Sequence, residues 1–285
     1  MSALAWVVDP VVTLGMLVVV PAGLRLIAPE GPEGAALRRA ARWWPLCALP
    51  GAAALWLPRG TTAVTLAGGY AAGTLVLLVL GGIRAVRLLR TGPPPPAEVA
   101  VLTALASPAV AGTALVAERG GWRLFGFDLD ILALTVPHFH FAGFTAALVA
   151  GLVCRAAAPG AAGARLAACC VPAGTGLVLA GYFVDDWLEL AGAVVLTAGM
   201  WAVALLTWHE IRPRGRDRLT RALLGTSAAV LAATMLLALS WALGEATGLP
   251  HLDLTWTAAT HGLGNALGFA LCSVLAWRRL KETPA

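Results

Sequence analysis

Charged side chains are scarce in this chain. Asp, Glu, Lys and Arg make up 12% of its 285 residues, about half the share carried by a soluble domain. A soluble fold could not cover its surface with so few charges, so lipid is the solvent that fits. A chain in lipid must satisfy its backbone within helices or a closed barrel. The strict apolar-polar alternation of barrel strands is missing, which leaves helices. The five cysteines (Cys47, Cys154, Cys169, Cys170 and Cys272) lack metal-site spacing and read as small membrane-core residues. The start of the chain has no basic n-region and no clear cleavage site, so its first apolar run reads as a retained helix. No nucleotide loop, serine nucleophile elbow or thiol pair occurs. ATP-driven work and nucleophilic catalysis therefore have no motif behind them.

What is abundant is apolar: 59% of the residues are hydrophobic and the mean hydropathy is +0.80. Crossing a bilayer takes about 20 apolar residues in a helix. The sequence predicts about nine such runs: Val7 to Ala28, Trp43 to Leu57, Thr62 to Val86, Ala97 to Val116, Ile131 to Cys154, Leu166 to Val184, Trp187 to Trp208, Leu219 to Leu243 and Thr255 to Trp277. The second is short and holds Pro45 and Pro50, as a tilted, broken or re-entrant segment would. The expected fold is an all-α polytopic bundle forming a single transmembrane domain over 1–285. The Pro-rich connector 92–96 separates sub-bundles 1–92 plus 97–117 and 131–278. Tryptophans near the run ends (Trp6, Trp43, Trp44, Trp187, Trp208 and Trp277) read as interfacial anchors.

The formal charge of +5 belongs to topology and not to a nucleic-acid partner. Arginines fill the connections after the first, third, fifth and seventh runs and the C-terminal tail. The other connections carry Glu118, Asp128, Asp130, Asp185, Asp186, Glu245 and Asp253, with only Arg59, Arg119 and Arg123 as basic residues. The positive-inside bias then puts the N-terminus outside and the C-terminus in the cytoplasm.

Ionisable groups inside a membrane are costly and point to function. His138 lies about 10 Å into the fifth run and His261 about 9 Å into the ninth. Thr257, His261 and Asn265 repeat every four residues and share a helix face. His140 lies about 200° around an α-helix from His138, so the two face one site only if Pro137 distorts the turn. Asp185, Asp186 and Glu189 gather at the same membrane face. Every deep polar candidate falls in the outer half or near the midplane. The string His140 to Phe144 faintly resembles Asn265 to Phe269; a parallel repeat and chance both account for it.

These residues predict catalytic roles for His138, His261, Asn265, Asp185, Asp186 and Glu189, with His140, Phe141, Phe144, Trp256, Thr257 and Phe269 lining a substrate cavity. Imidazole titrates near working pH and suits proton transfer. An amide can donate to a developing oxyanion, and a carboxylate can orient a histidine. Isomerisation, cyclisation or epoxide opening of an isoprenoid or polyketide would suit such surroundings. No cofactor or metal is expected for that chemistry. A small-molecule or lipid transporter is the alternative, although a bare inner half argues against proton coupling. A metal or haem site built on His138-x-His140 is a third reading, weakened by the opposed facing of the two rings. The expected partners are a lipophilic small molecule and membrane lipid; oligomeric state is left open.

At His138-Phe-His140-Phe-Ala-Gly143-Phe144, preceded by Phe125-Gly126-Phe127 and followed by Thr260-His261-Gly262 and Asn265-Ala-Leu-Gly268-Phe269, the chain resembles the YndJ-like family of bacterial membrane proteins. The resemblance implies a multispan fold in the bacterial cytoplasmic membrane and makes His138, His140, His261 and Asn265 the family's motif positions. The family is often labelled a transporter, and its members can be longer than this chain.

Overall fold

The computed structural model describes residues 3–27, 32–158 and 160–282. Among them the elements are helices and no strand occurs. Eight helices are long and apolar enough to cross a membrane: α1 (Ala5–Ile27), α4 (Thr61–Thr91), α5 (Pro96–Gly120), α6 (Leu129–Ala156), α7 (Gly163–Gly181), α8 (Asp186–Arg214), α9 (Arg218–Thr247) and α10 (Leu254–Lys281). Between α1 and α4 stand two shorter helices, α2 (Pro32–Trp43) and α3 (Pro45–Leu55), joined through Trp44, which keeps helical dihedrals. The second apolar run is thus only the later part of a longer helical path. Its first half reads as polar because Arg38, Arg39 and Arg42 sit in α2.

The chain forms two compact units. Unit 1 comprises Met1–Pro94 and Leu102–Thr145; unit 2 comprises Pro95–Val101 and Ala146–Ala285. The division falls inside two continuous helices, α5 and α6.

In unit 1, α1 widens into a π-helical turn over Gly15–Val19, where the Val20 N–H bonds back to Gly15 O. That shift takes from the Met16 carbonyl its ordinary α-helical partner, and the next residue, Pro21, has no N–H to offer. Trp44 Nε1 donates to Met16 O at 2.7 Å instead. The α2–α3 path therefore runs antiparallel to α1, with Trp44 opposite the middle of α1. Trp44 is buried, which corrects its reading as an interfacial anchor: a carbonyl orphaned within lipid demands a donor. Trp6, Trp43, Trp187 and Trp208 are exposed, but Trp277 is also buried. Helix α4 packs along α3, where Gly51 meets the Tyr70 ring and Gly73 meets Cys47.

In unit 2, α7 and α8 form a close helical hairpin. Added Cβ atoms at Gly174 and Gly181 would lie 2.5–2.6 Å from the backbones of Leu196 and Glu189. Those at Gly192 and Gly199 would lie 2.5 and 3.0 Å from the backbone nitrogens of Val178 and Val171. Each pair of residue numbers sums to 370, the mark of one unbroken antiparallel register. The glycines recur every seven residues on both helices, as one seam between gently coiling helices requires. Helix α10 packs on α9 in the same manner, with Gly264 against Thr234 and Gly268 against Val230. Further π-helical segments occupy Phe139–Thr145 in α6, Thr207–Ile211 in α8, and Ala258–Gly262 and Gly264–Leu271 in α10.

The five cysteines are free; Cys169 is exposed and the others are half-buried. They lie on partly open helix faces and not in the packed core. Apolar side chains facing acyl chains need no burial against protein.

Candidate functional site

Each unit holds one polar cluster built around a motif histidine. In unit 1 the cluster is sealed. His140 is fully buried, and its Nε2 lies 2.5 Å from Tyr70 Oη. Tyr70 is also fully buried and stacks edge-on against Trp44, with ring centroids 5.7 Å apart. The Nδ1 of His140 has no hydrogen-bond partner among the described residues. It faces Gly15, where an added Cβ would come to 3.0 Å. The carbonyl of His140 accepts from Thr145 Oγ1 at 2.9 Å, five residues on, as a π-helical turn leaves room for. Met16, Trp44, Tyr70 and His140 thus tie α1, the α2–α3 path, α4 and α6 together through polar and aromatic contacts. Phe141 and Phe144 are buried beside His140. His138 is half-buried, its ring edge-on to Phe139 at 5.5 Å. The π-helical segment begins at Phe139, between the two histidines.

A second buried polar group in unit 1 joins residues that the sequence places in separate connections. Glu118 is 2% exposed and accepts from Arg59 Nη2 at 2.8 Å. It also pairs with Arg119 Nε, and accepts from Arg119 Nη2 at 2.6 Å. Arg119 Nη1 reaches Leu55 O at 3.1 Å, placing a cation on the open carbonyls at the end of α3. Asp9, also buried, lies within the field of Glu118 and Arg119. A carboxylate taken from water needs such paired donors.

In unit 2 the cluster is half-open. His261 and Asn265 sit one turn apart on α10, both half-buried. The Nδ1 of His261 lies 2.8 Å from Thr234 O on α9. A carbonyl only accepts, so Nδ1 carries the proton and Nε2 presents its lone pair. Asn265 Nδ2 approaches that ring at 3.1 Å from Nε2 and 3.3 Å from Nδ1. Asn265 Oδ1 accepts from Thr234 Oγ1 at 2.9 Å. Thr234 thus fixes both the tautomer of the histidine and the orientation of the amide. The role expected of a carboxylate, orienting a histidine, is filled at His261 by this backbone carbonyl. Among the described residues no hydrogen bond joins His261 to Asp185, Asp186 or Glu189.

The acidic residues serve the helix ends. Asp185 caps α8 by accepting from Leu188 N at 2.8 Å. Asp186 is exposed, and the half-buried Glu189 lies within electrostatic range of Asp186 and Glu245. Trp256 is exposed, Thr257 is half-buried and Phe269 is buried. Beyond α9, His251 packs edge-on to Trp241 at 4.9 Å and places Nδ1 3.0 Å from Leu249 O and Nε2 2.8 Å from Glu245 Oε1. Two acceptors flank its two nitrogens, so the imidazolium is the form that satisfies both. The carbonyl of Leu249 and then the Glu245 carboxylate hold its pKa above the ordinary value. Among the described residues no three side chains of His, Cys, Asp and Glu gather as a metal-binding group.

Tyr70 and Thr234 are the partners that sequence spacing does not reveal. They stand 70 residues from His140 and 31 from Asn265, and nothing in a hydropathy pattern links positions so far apart.

The family model for YndJ-like protein matches residues 10–269, nearly the whole chain. The chain belongs to the YndJ-like family. The match includes both polar clusters, and with the eight long apolar helices it makes this an integral, multipass membrane protein. Comparison with curated proteins and with solved structures finds no match.

Proposed function

We propose that this YndJ-like protein is an intramembrane acid/base enzyme acting on a lipophilic small molecule of isoprenoid or polyketide type, by isomerisation, cyclisation or epoxide opening. One observation carries the reading: Thr234 O holds the proton of His261 on Nδ1, which leaves Nε2 as a base beside the Asn265 amide. A neutral imidazole with a fixed tautomer is set up to take a proton. Asn265 then donates to the charge that develops on oxygen. Its present contact with Nε2 is the one a substrate displaces. His138, half-buried on α6, is a second proton-transfer candidate, and Glu189 with Asp185 and Asp186 supplies acid at the acidic membrane face. Trp256 and Thr257 line the approach to the half-open cluster. Phe269, buried on α10, supports the site from the packed interior of unit 2, and His140, Phe141 and Phe144 are proposed to line a substrate cavity within unit 1.

The same reading places the protein in the bacterial cytoplasmic membrane with nine crossings, the N-terminus outside and the C-terminus in the cytoplasm. The α2–α3 path supports the ninth crossing, because it returns along α1 with Trp44 opposite Met16. The alternation of basic and acidic connections supports the orientation.

The test is metabolite profiling of a native-host deletion complemented with wild type, with His261→Ala or with Asn265→Ala. The expected result is a chemically distinct precursor that accumulates in the deletion and both variants and disappears only with wild type. Redistribution of an unchanged compound across the membrane would sink the enzyme and establish a carrier.

A further inference from the structure

In unit 2, α8 and α9 run antiparallel, and their register can be followed to the arginine-rich end. Trp201 Nε1 donates to Ala232 O at 3.2 Å, and an added Cβ on Gly225 would lie 3.6 Å from the Trp208 ring. Both pairs of residue numbers sum to 433, and the same register sets Arg212 opposite Arg221. Contacts at the helix ends agree. The added Cβ on Gly225 would also lie 3.2 Å from Arg212 Nε. One on Gly215 would lie 2.9 Å from Arg221 Cγ and 3.2 Å from Arg212 O. Gly225 stands one turn after Arg221, so the Arg212 side chain lies on the face of α9 that carries Arg221.

The two acids of this stretch are committed elsewhere. Glu210 Oε2 accepts from Ala158 N at 2.9 Å. Asp217 caps α9, accepting from Thr220 N at 2.9 Å and from Thr220 Oγ1 at 2.6 Å, and its Oδ1 lies 3.3 Å from Arg279 Nη2. Among the described residues no carboxylate pairs with Arg212, Arg218 or Arg221. Arg218 and Arg221 also stand at the start of α9, the end of a helix dipole that favours anions and opposes cations. Facing guanidinium groups repel, and an anion between them relieves both conflicts.

Arg212 is held in place without being neutralised. Its guanidinium carbon lies 4.4 Å from the Trp208 ring centroid, and its Nε is buried with no hydrogen-bond partner among the described residues. Below it, Trp201, Leu205 and Trp208 recur at intervals of four and three on α8, and all three are exposed. They form an apolar track about 10 Å long, with the fixed cation at its end. That arrangement matches a molecule with an anionic head and an acyl chain. Arginine forks suit a phosphate in the head.

We propose that the α8–α9 groove of unit 2 binds an anionic phospholipid, with its phosphate between Arg212 and Arg221 and an acyl chain along Trp208, Leu205 and Trp201. Arg218, exposed at the rim, adds its field to theirs. Basic pockets between transmembrane helices bind lipid headgroups in general. The site is independent of the chemistry assigned to His261.

The test uses the full-length protein purified in a neutral detergent. Thermal unfolding is followed while short-chain phosphatidylglycerol, short-chain phosphatidylcholine or inorganic phosphate is added separately. Wild type is expected to be stabilised by phosphatidylglycerol and left unchanged by the other two. Arg212→Gln and Arg221→Gln are each expected to weaken the apparent affinity for phosphatidylglycerol about fivefold, as loss of one basic residue near a membrane surface does. Trp208→Leu keeps an apolar surface for the chain but removes the ring beneath Arg212, and is expected to weaken it about two- to fivefold. Arg165→Gln removes an exposed arginine elsewhere in unit 2 and should leave the affinity as it is. Arg221 is exposed and spends no hydrogen bond on the fold, so its variant remains readable if Arg212→Gln or Trp208→Leu fails to fold. Equal stabilisation by phosphatidylcholine, equal stabilisation by inorganic phosphate, or a loss in Arg165→Gln as large as in Arg221→Gln would each overturn the proposal.

Discussion

Trp44 occupies the position where a hydropathy profile places a membrane boundary, yet it is spent on a backbone carbonyl halfway along α1. The π-helical turn and Pro21 together orphan Met16 O, and the indole is its donor. Trp44→Phe is therefore expected to lower stability by about 1–3 kcal/mol, read as a fall in thermal midpoint. Trp43→Phe, at an exposed neighbour, should change it little. His251 gives a residue-scale pH dependence. Its folded pKa is raised above the ordinary 6.5 by Leu249 O and Glu245, and the ring rests on Trp241 and the Gly244 backbone. Its contribution is fully present below about pH 6.5 and is lost as pH rises through the folded pKa. Hydrogen exchange in the 248–253 loop should accelerate over that interval, and His251→Gln should abolish the dependence. Asp217 behaves oppositely. The Thr220 hydroxyl and N–H hold its carboxyl down to about 2, so the α9 cap persists until strongly acidic conditions.

At the scale of elements, the glycine seam brings the backbones of α7 and α8 into direct contact. Gly174→Ala and Gly192→Ala each drive a methyl into the facing backbone, an overpacking that costs about 1–3 kcal/mol or more. Gly176→Ala, which meets nothing within 4 Å, should be neutral or slightly stabilising. Thermal unfolding of the three variants in detergent checks the contrast. Hydropathy located most of these helices because lipid allows no shortcut around a long apolar run. The fifth run, expected from Ile131 to Cys154, is observed as Leu129–Ala156. The α2–α3 path was only half legible, since three arginines and Pro45 mask a helix that keeps going. Spacing also put His261 and Asn265 on one face, and they do meet. The opposed facing of His138 and His140 was drawn with α-helical geometry, and the backbone departs from it at Phe139.

At the scale of the whole molecule, the similar strings His140–Phe144 and Asn265–Phe269 both fall in π-helical segments. In each, the shared glycine presses on the long helix before it: Gly143 on Ser107 of α5, and Gly268 on Val230 of α9. The first residue of each string sits in its unit's polar cluster, sealed in unit 1 and half-open in unit 2. Composition could announce a membrane protein but could not choose between these two clusters, because burial depends on partners distant in sequence. Orientation is checked by fusions. A reporter active only in the cytoplasm should signal at the C-terminus and stay silent at the N-terminus; signal at both ends would leave an even number of crossings. The glycine seam also bears on how α7 meets lipid. Helix α7 is among the less hydrophobic of the eight, with a mean hydropathy of 1.4 against 2.0 for α8, and only the turn after Gly181 separates them. Backbones in contact along this seam leave no room for lipid between the two helices, so α7 meets the bilayer as one side of a hairpin whose other side is the more hydrophobic α8.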